Sequence, residues 1–168
     1  MYKLEYDKNG NPIPYDFIDM TGEDLKENLV DSFSESKTRK DIYYGYTKYC
    51  NDLLVLINEC VTQWIDGSFT TIKTDPNDID IVNWASAERI NQLGTALIPF
   101  DTRTSQGQVK IDYKVDGYII PNLDAARPDL SRYYKQNFDY WSKWWGHDRK
   151  NNVKGIIKIR LENKAAKK

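Results

Sequence analysis

A chain of 168 residues is long enough for one domain with a core of its own, able to bury roughly 70% of the surface its unfolded form exposes. Its 24 Lys and Arg against 25 Asp and Glu leave a net charge of -1, which excludes a protein that coats nucleic acid by bulk charge and leaves room only for a local basic groove. Hydrophobic residues at 40% and aromatics at 13% exclude a disordered chain, and a single histidine with two cysteines argues against a zinc centre or a disulfide scaffold.

The chain begins without the charged-then-apolar layout of a secretory leader, which predicts a cytoplasmic protein. Turn signals at Asn9-Gly10, Asn11-Pro12 and the Pro12/Pro14 pair predict an arm or short surface hairpin over residues 1–20, packed through Tyr2, Leu4, Tyr6, Phe17 and Ile18. Thr21 followed by Asp24 resembles a capping box and opens a short helix through Val30. Ser36 is a second cap candidate. Behind it Ile42, Tyr46, Tyr49, Leu53 and Leu56/Ile57 recur at helical spacing and predict a helix over 37–59. The longest aliphatic run, Leu53-Leu54-Val55-Leu56-Ile57, is far below the roughly 20 residues of a membrane span. Cys50 and Cys60 read as buried free thiols.

Cys60 to Asp66 is rich in strand formers and stops at Gly67. After the turn Asp75-Pro76-Asn77, the stretch 78–82 alternates acid with aliphatic and predicts a second strand paired to the first. Ser86 caps a helix over 87–98 with Ile90, Leu93 and Ala96/Leu97 as its buried stripe. A polar loop from Arg103 to Gly107 leads to a strand over 109–120. Pro128 marks a helix start, and Leu130, Tyr133/Tyr134, Phe138, Trp141 and Trp144/Trp145 predict a helix ending at Gly146. A last strand covers 153–161. The whole is an α+β fold, a small mixed β-sheet with helices on one face. Its parts are an arm (1–20), a single domain (21–162) and a frayed basic tail (163–168).

Chemistry concentrates between Trp64 and Val82. On a strand, Asp78 and Asp80 project from one face with Cα atoms about 7 Å apart. Like charges that close repel unless a cation sits between them, and Mg²⁺ or Mn²⁺ binds through one or two carboxylates with phosphate oxygens completing its shell. Gly67-Ser68 ends the preceding strand, where a glycine lets backbone amides cradle an anion. The hydroxyls of Ser68, Thr70 and Thr71 and the Lys73 ammonium add candidate contacts. Metal on one side and phosphate on the other make a nucleoside-triphosphate site.

Gly67-Ser68 followed ten residues later by Asp78-Ile79-Asp80 resembles the signature of the DNA polymerase β-like nucleotidyltransferase superfamily. The wider string from Asp66 through Lys73, Asp75-Pro76 and Asp80 is similar to small bacterial and phage members, over residues 60–83 most closely. The resemblance implies transfer of a nucleoside monophosphate from ATP or another NTP to a hydroxyl of RNA, protein or a small molecule. Ser68 would meet the β- and γ-phosphates, and Asp78 and Asp80 would hold two Mg²⁺. It also implies a third carboxylate from a later strand. Asp116 is the first candidate and Asp112 the alternative; placed four apart on a strand, about 13 Å, only one could reach the metals. Trp144, Trp145 and His147 offer faces for a base, and Arg149 or Lys150 could meet a triphosphate.

Blander readings stand beside these. An Asp-x-Asp alone is more often a solvated face than a site, tryptophans are more often core than platforms, and Lys73, Arg103 and Arg149 are ordinarily solvated. Three function classes follow: a metal-dependent nucleotidyltransferase, an inactive nucleotide- or partner-binding module of a toxin–antitoxin or phage-defence system with a partner or antitoxin protein, and a metal-dependent nuclease or phosphohydrolase.

Overall fold

The computed structural model describes residues 2–122 and 129–162. Pro128 and the tail 163–168 lie outside them. The chain opens with a hairpin of β1 (Glu5–Tyr6) and β2 (Pro12–Ile13), antiparallel to each other. The end of the expected surface arm is not separate from the domain: β3 (Phe17–Asp19) is an edge strand of the main sheet. Helix α1 (Gly22–Lys26) starts as the capping box predicts. The Asp24 amide donates to the Thr21 hydroxyl at 3.1 Å and the Thr21 amide donates back to the Asp24 carboxylate at 3.0 Å. The helix runs on through a π turn, Glu27–Asp31.

Helix α2 (Arg39–Ile57) buries Ile42, Tyr46, Tyr49, Leu53 and Ile57, a stripe at three and four spacing, and ends on left-handed Asn58. Next come β4 (Val61–Asp66), β5 (Ile79–Ser86), α3 (Ala87–Leu93), α4 (Gln108–Tyr113), β6 (Val115–Asn122), α5 (Ser131–Trp145) and β7 (Ile156–Leu161). The five-stranded sheet has the order β3-β7-β4-β5-β6. The β4–β5 and β4–β7 pairs are antiparallel, while β3–β7 and β5–β6 are parallel. This is the mixed sheet of an α+β fold.

Four local expectations are corrected. Helices cover both faces, not one. Ile65, Ile79, Ile81, Val115 and Ile157 pack toward α1 and α2, whereas Trp64, Val82, Trp84 and Ile120 pack against Trp141 and Trp145 of α5. The alternation of large apolar residues on both sides of the central strands is what such double coverage requires. The helix after Ser86 ends at Gly94 and continues as a 3₁₀ segment, Gly94–Phe100, containing Pro99, so only Leu97 of its expected stripe is buried. The stretch 109–120 is not one strand. Gly107, at φ 84°, begins α4, and left-handed Lys114, at φ 56°, ends it before β6. Val109 and Tyr113, buried at i and i+4, satisfy a helical period that simple alternation had masked, and Ile111 between them is 74% exposed. Last, Cys60 is exposed, and only Cys50 is buried, beside Gln63.

Candidate functional site

The register of the sheet assembles the site. Asp66, the last residue of β4, lies opposite Asp80 on β5, and Asp80 lies beside Asp116 on β6. Paired residues point to the same face, and neighbouring strands are about 4.8 Å apart, so three carboxylates form a row across the sheet on the α5 side. The next row of the same pairing is Trp64, Val82 and Tyr118, part of the aromatic layer. Asp78 sits immediately before β5, two residues from Asp80.

Gly67 fits this row as no other residue could. Its φ of 78° is left-handed, and a Cβ there would collide with Oδ2 of Asp80. The Asp80 carboxylate therefore lies directly against the glycine turn. Ser68 starts a single 3₁₀ turn, Ser68–Thr70, whose carbonyl accepts from the Thr71 amide and hydroxyl. The Thr70 hydroxyl is buried and donates to the Gly67 carbonyl at 3.1 Å, which makes it a brace of the turn.

The loop that follows is clasped by Arg39. This fully buried guanidinium donates to the carbonyls of Leu29 (2.8 Å), Phe69 (2.7 Å), Thr71 (2.8 Å), Lys73 (2.6 Å) and Thr74 (3.3 Å), and stacks 3.7 Å from the Phe33 ring centroid. Burial lowers it to about 10, and the nearby Tyr6 and Asp75 work in the opposite direction. Four of these carbonyls, those of Phe69, Thr71, Lys73 and Thr74, held on one cation fix the path of residues 69–74.

Two lysines reach the acid row. Lys110 of α4 places its ammonium 3.0 Å from Asp78 Oδ2 and 2.7 Å from Asp116 Oδ2. Lys154, in the segment leading to β7 and itself buried, lies 2.6 Å from Asp66 Oδ1 and 3.4 Å from the Gly67 carbonyl. Oδ1 of Asp116 is buried with no hydrogen-bond partner among the described residues. Asp80 is pushed up to about 7, chiefly by burial and then by the charges of Asp78, Asp116 and Asp66, with Lys110 opposing. Asp66 is pushed up to about 6 by burial, against the pull of Lys154. Burial would lower the Lys110 ammonium, but the carboxylates of Asp116 and Asp78 more than reverse it, and it is raised. The Tyr118 hydroxyl, next along β6, is pushed up to about 12 by burial and by Asp116.

Asp78, Asp80 and Asp116 are thus brought together, along with Gly67 and Ser68. Asp112 is not: it lies exposed on α4 and accepts from its helical neighbour Gln108 at 2.9 Å, away from the row. Lys73 and Arg149 are exposed, Arg149 in the turn between α5 and β7, and the cations that meet the acids are Lys110 and Lys154 instead. Trp145 is core, 4% exposed against Trp141, so it presents no free face; Trp144 is 52% exposed. His147 touches the Lys143 carbonyl through Nδ1 at 3.0 Å and, with Phe17 and Lys154, lines a cavity of about 250 Å³ beside the Asp66–Lys154 pair.

Asp66, Lys110, Lys154 and Arg39 escape a reading of the sequence. Asp66 alone left a signal there, because a hairpin whose connection runs from Gly67 to Ile79 pairs it with Asp80. An all-oxygen donor set suits Mg²⁺ or Mn²⁺. With every group ionised, the four carboxylates and two ammonium groups among the described residues leave two negative charges, those one divalent ion would neutralise. Among the described residues no three acids converge closely enough to hold an ion as they stand, and the cation among them is Lys110. Nor is any described helix long and apolar enough to cross a membrane.

No curated protein and no solved structure matches the chain. A family profile does, over residues 4–160, and by that span the chain belongs to DUF6932, a family of unknown function.

Proposed function

We propose that this protein is a divalent-metal-dependent nucleotidyltransferase that moves a nucleoside monophosphate from ATP or another NTP to a hydroxyl of RNA, protein or a small molecule. The observation that carries the reading is the in-register row of Asp66, Asp80 and Asp116, with Asp78 beside it and Asp80 lying on the Gly67 turn. Carboxylates held together against their mutual repulsion, one of them raised to about 7, mark a site built for a cation and not for stability.

In this reading Asp78, Asp80 and Asp116 would hold Mg²⁺ or Mn²⁺, which would supply positive charge to the triphosphate and to the acceptor oxygen. The Gly67-Ser68 turn, fixed by Thr70 and by the Arg39 clasp, offers amide and hydroxyl donors to the β- and γ-phosphates. The acceptor oxygen forms a bond to the α-phosphorus and the bond from that phosphorus to the bridging oxygen breaks. Pyrophosphate leaves with the electron pair. The acceptor proton passes to a carboxylate of the row. The cavity lined by Phe17 and His147 has room for the base or the acceptor.

A second reading, a module that binds nucleotide and a partner or antitoxin protein without transfer, is favoured by one observation: Lys110 engages two of the acids. Incubation with each α-labelled NTP, Mg²⁺ or Mn²⁺ and cell lysate separates the two. Pyrophosphate release with labelling of an acceptor is expected, lost in Asp80→Asn and Asp116→Asn while circular dichroism stays native. Nucleotide binding without release would establish the module, and transfer persisting in the double variant would end both assignments of this site.

A further inference from the structure

The row of acids already contains a cation, and it belongs to the chain. Lys110 bridges Asp78 and Asp116 at 3.0 and 2.7 Å, the two carboxylates flanking Asp80. The Lys110 ammonium donates hydrogen bonds to the Oδ2 atoms of Asp78 and Asp116, and a divalent ion placed between those two atoms would draw on the same lone pairs and meet the ammonium's like charge, so the two cations compete for this position. We infer that Lys110 is an internal competitor for the metal: a divalent ion enters between Asp78 and Asp116 only as the Lys110 ammonium swings out.

Two features of α4 fit an exchangeable counter-ion. The Lys110 side chain is 40% exposed, so solvent can receive it. The element carrying it is a single short helix between left-handed residues, Gln106 and Gly107 before it and Lys114 after it. Lys154 contrasts with Lys110: its side chain is 4% exposed, among the described residues its ion-pair partner is Asp66, and it also contacts the Gly67 carbonyl. Lys154 is a fixed part of the site and Lys110 is the movable one. Without Lys110 the acids would repel one another in the metal-free protein. With it they are held in register, at the expense of metal affinity.

The inference rests on the metal-binding reading above, and its test keeps the two apart. Mn²⁺ binding to the whole protein is measured by titration calorimetry for the wild type, Lys110→Met, Lys110→Arg and Asp116→Asn, each checked for native circular dichroism. Melting temperatures without metal are recorded alongside. A like charge within about 4 Å of the ligand oxygens changes a binding constant by about tenfold or more where solvent reaches it. Lys110→Met is therefore expected to bind Mn²⁺ at least about tenfold more tightly, to melt lower than wild type without metal, and to gain more from Mn²⁺. Lys110→Arg keeps the charge and stays near wild type, and Asp116→Asn loses binding. Equal Mn²⁺ affinity in wild type and Lys110→Met overturns the competition while leaving the metal site standing. No Mn²⁺ binding in any variant overturns both, and binding undiminished in Asp116→Asn places the metal elsewhere and likewise overturns the inference.

Discussion

Asp80 is where sequence and electrostatics meet most directly. Its alternation with Ile79 and Ile81 was readable from the sequence, because those aliphatics must face the core and the acid must face away. How far the acid is perturbed was not readable, since that depends on Asp66 and Asp116 arriving from other strands. A carboxyl that titrates near 3.9 when unfolded and at about 7 when folded leaves the native state holding a proton that the unfolded chain has released. Its contribution to stability is thus full below pH ~4 and is lost as pH rises through about 7, with Asp66 acting in the same sense up to about 6. The metal-free protein is expected to melt lower at pH 8 than at pH 5. Asp80→Asn removes the charge at nearly constant volume and should flatten that dependence, raising stability at pH 8 on the order of 1–3 kcal/mol while abolishing transfer. Differential scanning calorimetry across that range is the check, and a variant melting below wild type at pH 8 contradicts the account.

Among the elements, α4 shows how one local ambiguity propagates to a site. Val109-Lys110-Ile111-Asp112-Tyr113 satisfies both a strand and a helix pattern, since apolar residues stand at every second position and also at i and i+4. The left-handed turns at Gly107 and Lys114 decide for the helix. That choice turns Lys110 onto the acids, sends Asp112 to solvent and starts β6 just where Asp116 pairs with Asp80. A strand would have given Ile111 and Val109 the same environment; the helix exposes one and buries the other. Val109→Ala is accordingly expected to cost about 2 kcal/mol, and Ile111→Ser to fall within about 0.5 kcal/mol of wild type. Urea denaturation distinguishes them, and equal losses would argue for the strand.

Across the whole molecule, the site draws on segments far apart in the chain. Lys154, just before the final strand, neutralises Asp66 at the end of β4, and β7 is itself flanked by β3 from the opening residues. Removing one partner of a buried ion pair leaves the other uncompensated, a loss of about 3–5 kcal/mol. Lys154→Met should cost that much at pH 8 and less at pH 5, where Asp66 takes a proton, and the double variant with Asp66→Asn should recover most of it. Chemical denaturation at the two pH values measures this; an undiminished loss in the double variant would show that Lys154 acts by packing instead.

The sequence by itself determined the secondary elements with strong period or punctuation: the capping box of α1, the stripe of α2, the aromatic helix α5 and the strands that meet around Gly67. It also placed Gly67, Asp78 and Asp80 close together, because a turn and a hairpin are short-range and their geometry follows from local residue chemistry. Only the tertiary structure decided that α5 covers the second face, that Asp66 and Asp116 complete the row, that Arg39 clasps the loop, and that Lys110 and Lys154 supply the counter-charges. Those relations join residues far apart in the chain. They are fixed by strand register and by the burial of opposite charges, and no local pattern encodes either.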